Sequence, residues 1–190
     1  GAKALSPVRI TSCDAKSATS ERALPSCLVT PKGRLRAHFE LFERGDHALL
    51  VGPEARMRDA LKTLAHSIVL TDSKIETEAL DVVWLSGPAA ESLMEGEPAS
   101  QSSLGGPAGF ALLTEDGGAK LKSFARKAGE FFSLLCAEAL EILRVEAGRP
   151  LPGRDYDEDF FPQELGLDSA VCFSKGCFRG QETLAHIQNR

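Results

Sequence analysis

Between Lys32 and Phe42 the chain reads Lys-Gly-Arg-Leu-Arg-Ala-His-Phe-Glu-Leu-Phe, and this alternation limits the possible folds more than any other stretch. Side chains on a strand point to opposite faces with a period of two. Gly33, Leu35, Ala37, Phe39 and Leu41 therefore share one face, and Lys32, Arg34, Arg36 and His38 share the other. The first face needs a core packed against it. The second is a basic ladder, which suits either solvent or an anion such as a phosphate or a polycarboxylate. A sheet with one apolar face is closed most simply by antiparallel neighbours and a helix laid across it.

The flanking residues supply those parts. Residues 8–12 and 27–30 read as strands, with Asp14 in the turn after the first and Pro31-Lys32-Gly33 as a hairpin corner. Gly45-Asp46 turns the chain into a short strand, and Gly52-Pro53-Glu54 then opens a helix with Met57, Ala60, Leu61 and Leu64 on one stripe. Extended structure is expected again at 68–70. A polar break at 71–74 separates a second unit: a strand over 78–86, a short helix ending at Met94, a structureless loop over 95–107, a strand over 110–114 and a basic helix over 119–128. The sole tryptophan, Trp84, is expected in this unit's core.

The longest helix is expected over 130–147, where Phe131, Leu135, Ala139 and Ile142 form a stripe whose next member is Glu146. A carboxylate on a core-facing stripe needs a partner or a function, unless it lies past the packed part, near the stop at Gly148 and Pro150. Asp155, Asp157, Glu158 and Asp159 follow in an acidic loop that lacks the glycine and terminal glutamate of a calcium site, so it reads as solvated. Residues 171–173 then suggest a short strand, a turn carries Lys175, Gly176 and Cys177, and a helix starts near Gly180 with Leu184 and Ile187 on one side. Cys177 is thus placed just before a helix N-terminus between Lys175 and Arg179, surroundings that favour thiolate; the alternative is a small, inert, buried cysteine.

A net charge of -5 argues against a surface that grips nucleic acid throughout. The five cysteines (13, 27, 136, 172, 177) are odd in number and scattered, which points to free thiols rather than a disulfide framework, and no metal site is expected. No apolar run is long enough to span a bilayer and the first residues carry no basic-then-apolar signal, so a cytoplasmic location is expected.

Three blocks carry a further signal: Arg144-Val-Glu-Ala-Gly-Arg-Pro150, Phe161-Pro-Gln-Glu-Leu-Gly-Leu167 and Lys175-Gly-Cys-Phe-Arg-Gly-Gln-Glu182. Together they resemble the YgfZ-type, folate-binding relatives of the glycine-cleavage T-protein, with Pro31-Lys-Gly-Arg34 and Asp14 at weaker upstream positions. The resemblance implies an α+β fold of small antiparallel-sheet-plus-helix domains of the aminomethyltransferase folate-binding type, the first interrupted by the second. Residues 1–72 would open the folate domain, 73–129 form the insert and 130–190 complete the first domain. A preceding strand, helix and glutamine-rich loop and a following β-barrel are expected in the family and not found within these residues.

For function the resemblance implies a tetrahydrofolate cofactor, support of iron-sulfur protein assembly or repair as partners, and through these tRNA modification. It assigns functional roles to Cys177, Lys175 and Gln181, and folate contacts to Glu146, Asp14, Leu140 and Arg34, Leu140 standing where some relatives carry tryptophan. His186 stands where the family often has arginine. Aminomethyltransferases carry an essential carboxylate on the strand after the Lys-Gly corner, where this chain has Arg36, Ala37 and His38. A folate-dependent aminomethyltransferase is therefore the first rival, and a non-catalytic interaction module the second.

Overall fold

A computed structural model describes residues 11–68 and 74–189. The described residues divide between two compact units, one drawn from 11–19, 23–68, 74–76 and 150–189, the other from 20–22 and 77–149.

In the first unit, β1 (Leu24–Val29), β2 (Leu35–Arg44) and β3 (His47–Val51) form an antiparallel sheet in that order. Helix α1 (Glu54–Ile68) lies on one face, where Ala60 and Leu64 pack with Leu28, Ala37 and Phe39 and Met57 adds a partly buried contact. This is the stripe expected from the sequence. The other face is covered by the return segment: Tyr156, Leu167, Ala170, Val171, Phe178 and Leu184 pack on Cys27, Val29 and Leu35. The sheet is therefore buried on both sides.

That second layer changes the reading of β2. Leu28 pairs with Ala37 but Val29 pairs with Leu35, a register shift that breaks strict alternation. Leu35 consequently joins the core under the return segment instead of facing α1 with Ala37 and Phe39. The expected basic ladder is also interrupted. Arg36 is exposed, but His38 is half-buried, with its Nδ1 2.8 Å from the Tyr156 hydroxyl, and Glu40 is buried.

In the second unit, β4 (Asp81–Leu85), β6 (Gly109–Thr114) and β5 (Ala99–Ser102) form an antiparallel sheet in that spatial order. Helices α2 (Ala90–Met94) and α3 (Gly117–Ala128) supply Met94 and Phe124 to a core with Val83, Leu85 and Leu112. Asp116 caps α3, its side chain accepting a hydrogen bond from the Ala119 N–H at 2.8 Å. β5 corrects the expectation of a structureless loop over 95–107. Its sequence, Ala-Ser-Gln-Ser, has no strand signature, and pairing with β6 imposes the extended form.

Two further segments differ from expectation. The helix expected from 130 begins only at α4 (Ala137–Glu146), because Gly129, at φ 60°, closes α3 and a single 3-10 turn spans Gly129–Phe131. Residues 171–173 form no strand; a 3-10 turn at Asp168–Ala170 leads into an irregular, partly buried stretch. The last helix, α5, spans Gln181–Gln188 with Leu184 fully buried. Residues 8–10 and 69–73, which carry part of the first strand, the return to extended structure and most of the polar break, lie outside the described residues.

Candidate functional site

The Lys175–Glu182 turn is assembled by four local devices. Gly180 has φ 78°, and a Cβ there would lie 2.4 Å from the Thr30 carbonyl oxygen and 3.0 Å from Val29 Cγ2. Only glycine combines that backbone with that approach. At the same corner a Cβ on Gly33 would meet Leu184 and Thr183 of α5 at 3.2 Å, so the Pro31-Lys-Gly corner and the Gly-Gln-Glu start of α5 fit against each other. Gln181 accepts the Phe178 N–H on its Oε1 at 3.2 Å and fixes the turn from within. Phe178 itself is buried.

Lys175 is the fourth device. Its ammonium donates to the carbonyl oxygens of Thr11 and Cys13, the latter at 2.7 Å, and lies 5.0 Å from the Phe178 ring centroid. Partial burial holds its pKa below the ordinary lysine range. Lys175 therefore clamps the segment ahead of Asp14 to the turn. Ser12 completes this stitching: its N–H donates to the Cys27 carbonyl at 2.9 Å, its hydroxyl accepts the Cys27 N–H at 2.8 Å, and its carbonyl accepts the Cys172 N–H at 2.8 Å. Cys177 stands exposed in the middle of this fixed frame.

The sequence reading overlooked a second thiol. Cys172 is partly exposed, and its sulfur lies 3.3 Å from the Ser174 hydroxyl. That hydrogen bond, against a smaller effect of burial, holds the Cys172 thiol below its usual range. Asp14 acts in the opposite direction on the same thiol and makes its own turn by accepting the Lys16 N–H at 3.3 Å. Buried Glu40 was also missed, although it continues the Arg36 and His38 parity along β2 and could have been found by extending the alternation one step.

Arg34 is held by the return segment. Its guanidinium stacks 3.9 Å from the Phe161 ring centroid, donates to the Asp159 carbonyl and stands 4.0 Å from Glu164. Glu164 in turn accepts the Phe161 N–H at 2.7 Å, and Gln163 donates to the Leu184 carbonyl at 3.2 Å. The Phe-Pro-Gln-Glu block thus links the corner to α5. Beside it an open cleft of about 320 Å³ is lined by Thr30, Lys32, Arg34, Arg36, Glu158 and Asp159 among others. Glu158 is paired with Arg56 at 2.8 Å.

Glu146 and Leu140 belong to the second unit, on α4. Glu146 is exposed instead of lying on a buried stripe, as are Phe131, Leu135 and Ile142 before it. At 100° per residue Leu140 projects about 120° away from Glu146. The Arg144 block has a structural role: Arg144 donates to both Glu141 oxygens, at 2.8 and 2.6 Å, and to the Arg149 carbonyl, while Gly148, at φ 64°, ends the helix. Among the described residues no group of three His, Cys, Asp or Glu side chains could hold a metal ion, and no helix is long and apolar enough to cross a membrane.

No protein-family model matches the chain. The tRNA-modifying protein YgfZ of Colwellia psychrerythraea is 27% identical over 194 residues, covering 93% of this chain and 59% of that protein. The protein of the same name from Pectobacterium carotovorum is 26% identical over 199 residues, covering 93% and 58%. A chloroplastic protein of Arabidopsis thaliana is 35% identical over 79 residues, 42% of this chain and 18% of its own length. The glycine cleavage system aminomethyltransferase T of Bartonella henselae superposes with a TM-score of 0.80 at 19% identity, over 96% of this chain and 57% of that one. The chain thus spans less than three-fifths of the length of the YgfZ proteins it matches along nearly all of its own. Along nearly all of its length the chain is thus similar to YgfZ-type proteins, and it shares the mixed helix and antiparallel-sheet fold of the glycine-cleavage T-protein.

Proposed function

We propose that this chain binds tetrahydrofolate and supports the assembly or repair of iron-sulfur proteins, and through them tRNA modification, with Cys177 as its functional thiol. One observation carries the reading: Cys177 is exposed while every neighbour that shapes its turn is fixed, Lys175 by two carbonyls, Phe178 by burial, Gly180 by the β1–β2 corner and Gln181 by its bond to the Phe178 N–H. A cysteine kept for packing is buried; one kept for exchange, ligation or nucleophilic attack must be reachable and held in place. In this reading Lys175 and Gln181 are positioning residues.

For folate, Glu146 offers an accessible carboxylate to the donor-rich edge of a pterin and Leu140 an apolar contact. In the first unit, Lys32 and Arg36 at the cleft provide cations for carboxylates, with Arg34 and Asp14 holding the surrounding backbone. The absence of a carboxylate at Arg36, Ala37 and His38 weighs against the aminomethyltransferase alternative. Calorimetric titration of the full-length protein with tetrahydrofolate tests the cofactor, and saturable binding is expected. No heat of binding from a folded sample overturns the folate assignment. Cys177→Ala, expected to keep folate binding and lose support of iron-sulfur client activity, tests the thiol separately.

A further inference from the structure

The lysines and arginines on the longer helices are paired with acids, except on α3. On α1, Arg56 is paired with Glu158, Arg58 with Glu54 and Lys62 with Asp59, and on α4 Arg144 is paired with Glu141. On α3, Lys120 is paired with Glu97 at 2.6 Å, whereas Lys122, Arg126 and Lys127 make no ion pair among the described residues. All three are exposed. At about 100° per residue they span an arc of roughly 140°, and Ala119 and Ser123 fall inside it. The opposite side of the helix carries Leu121 and fully buried Phe124, which pack in the unit's core. The exposed arc thus holds three cations, two small side chains and no carboxylate.

The acids around α3 are engaged elsewhere or lie off the arc. Asp116 caps the helix, Asp81 accepts the Gly117 N–H at 2.9 Å and Glu97 holds Lys120. Glu91 and Glu95 stand on or next to α2, which packs against the buried side through Ala90 and Met94. Glu115 precedes the helix and Glu130 follows it, and neither forms an ion pair with it. The helix dipole accounts for cations at Arg126 and Lys127 in the last turn, but not for Lys122 a full turn earlier.

The composition of the arc indicates its ligand. A protein partner buries an apolar centre inside a polar rim, and the arc has no large apolar side chain to offer one. Membrane-surface binding needs a free apolar face, and that face of α3 is in the core. Single-stranded nucleic acid is held by aromatic platforms for its bases, and the arc carries none. A duplex backbone needs cations and small donors on a surface it can approach closely, which Lys122, Arg126, Lys127 and the Ser123 hydroxyl between them supply.

We infer that the exposed arc of α3 binds the phosphate backbone of duplex nucleic acid without reading its sequence. This is independent of the folate and thiol readings, since no residue of the arc takes part in them. The test is fluorescence anisotropy of a short labelled duplex with the full-length protein, run as RNA, as RNA of shuffled sequence and as DNA. The three duplexes are expected to bind alike at about 1–100 µM, with a slope of log K against log salt of about -2 to -3 for three phosphates neutralised. Lys122→Gln with Arg126→Gln should weaken binding by about tenfold or more and flatten the slope by about two, and Lys127→Gln alone should flatten it by about one. Arg58→Gln with Lys62→Gln removes the same net charge from paired cations and should leave affinity and slope unchanged. Trp84 fluorescence checks that the second unit is folded in each variant. The inference is overturned by no duplex binding at low salt, by affinity set by base sequence or sugar, or by an equal loss in the Arg58 and Lys62 variant. It is equally overturned if polyglutamate or anionic vesicles bind as tightly as the duplex and Lys122→Gln with Arg126→Gln abolishes that binding instead.

Discussion

Replacing Gly180 by alanine tests the idea that the start of α5 is built against the β1–β2 corner. At φ 78° a non-glycine residue costs about 1–2 kcal/mol through its left-handed backbone alone. The added Cβ would also stand 2.4 Å from the Thr30 carbonyl oxygen, which accepts the Gly33 N–H at 2.9 Å across the corner. Relief needs backbone movement, and overpacking of that kind costs about 1–3 kcal/mol. Alanine stiffens the unfolded chain and returns roughly 0.4–1 kcal/mol. The net expected loss is about 1–4.6 kcal/mol, a large share of the roughly 5–15 kcal/mol that stabilises a typical domain.

Tyr156 is the sole tyrosine and lies in the first unit's core, so its near-ultraviolet signal during urea unfolding reports this unit. A fall in midpoint of about 1 M or more is expected. Gly153→Ala is the matched control: it has the same φ of 78°, but a Cβ there meets nothing within 4 Å. It should therefore show the conformational cost of about 1–2 kcal/mol without the clash. If Gly180→Ala loses no more stability than Gly153→Ala, the close approach is not what requires glycine and the reasoning fails.

Four further outcomes are expected. Complete burial pushes the Cys27 thiol far above its ordinary range, so the native state keeps it neutral while the unfolded chain ionises from about pH 8.5; stability is intact below that pH and falls above it by up to about 1.4 kcal/mol per pH unit, a slope that Cys27→Ala should remove in pH-dependent urea titrations. Because the Ser174 hydroxyl holds the Cys172 pKa down, Ser174→Ala should shift the pH profile of Cys172 alkylation upward, as read by mass spectrometry of labelled peptides. Lys175→Met leaves the Thr11 and Cys13 carbonyls without their cation and should cost about 1–3 kcal/mol in urea unfolding. In the second unit, a Cβ on Gly105 would stand 2.3 Å from the Trp84 ring, so Gly105→Ala should destabilise that unit by about 1–3 kcal/mol, read from the sole tryptophan's fluorescence during unfolding.

Regular periodicity survived translation into structure where one local pattern met one packing surface. The α1 stripe of Met57, Ala60 and Leu64 lies on the sheet as its spacing requires, and α5 begins just after Gly180 with Leu184 buried. The 130–147 pattern failed because its members straddle a break: Phe131 lies in a 3-10 turn and Ile142 in α4, so equal spacing along the chain did not become one face. β5 was illegible because Ala-Ser-Gln-Ser owes its extended form to pairing with β6.

By itself the sequence determined which residue types stand at which intervals. That was enough to predict an α+β fold and to single out the Lys175–Glu182 block, with Cys177 in it, as the candidate to examine. Only the tertiary structure decided what those residues meet. Lys175, read locally as a cation beside a thiol, has its ammonium bound to carbonyls brought from residues 11 and 13. Cys172 gains its lowered pKa from the Ser174 hydroxyl across an irregular turn, and Arg34 is stacked on Phe161, more than a hundred positions along the chain. Spacing along a chain predicts local conformation because backbone geometry repeats; the partner of a charge is selected by packing between distant segments, and no repeat encodes that.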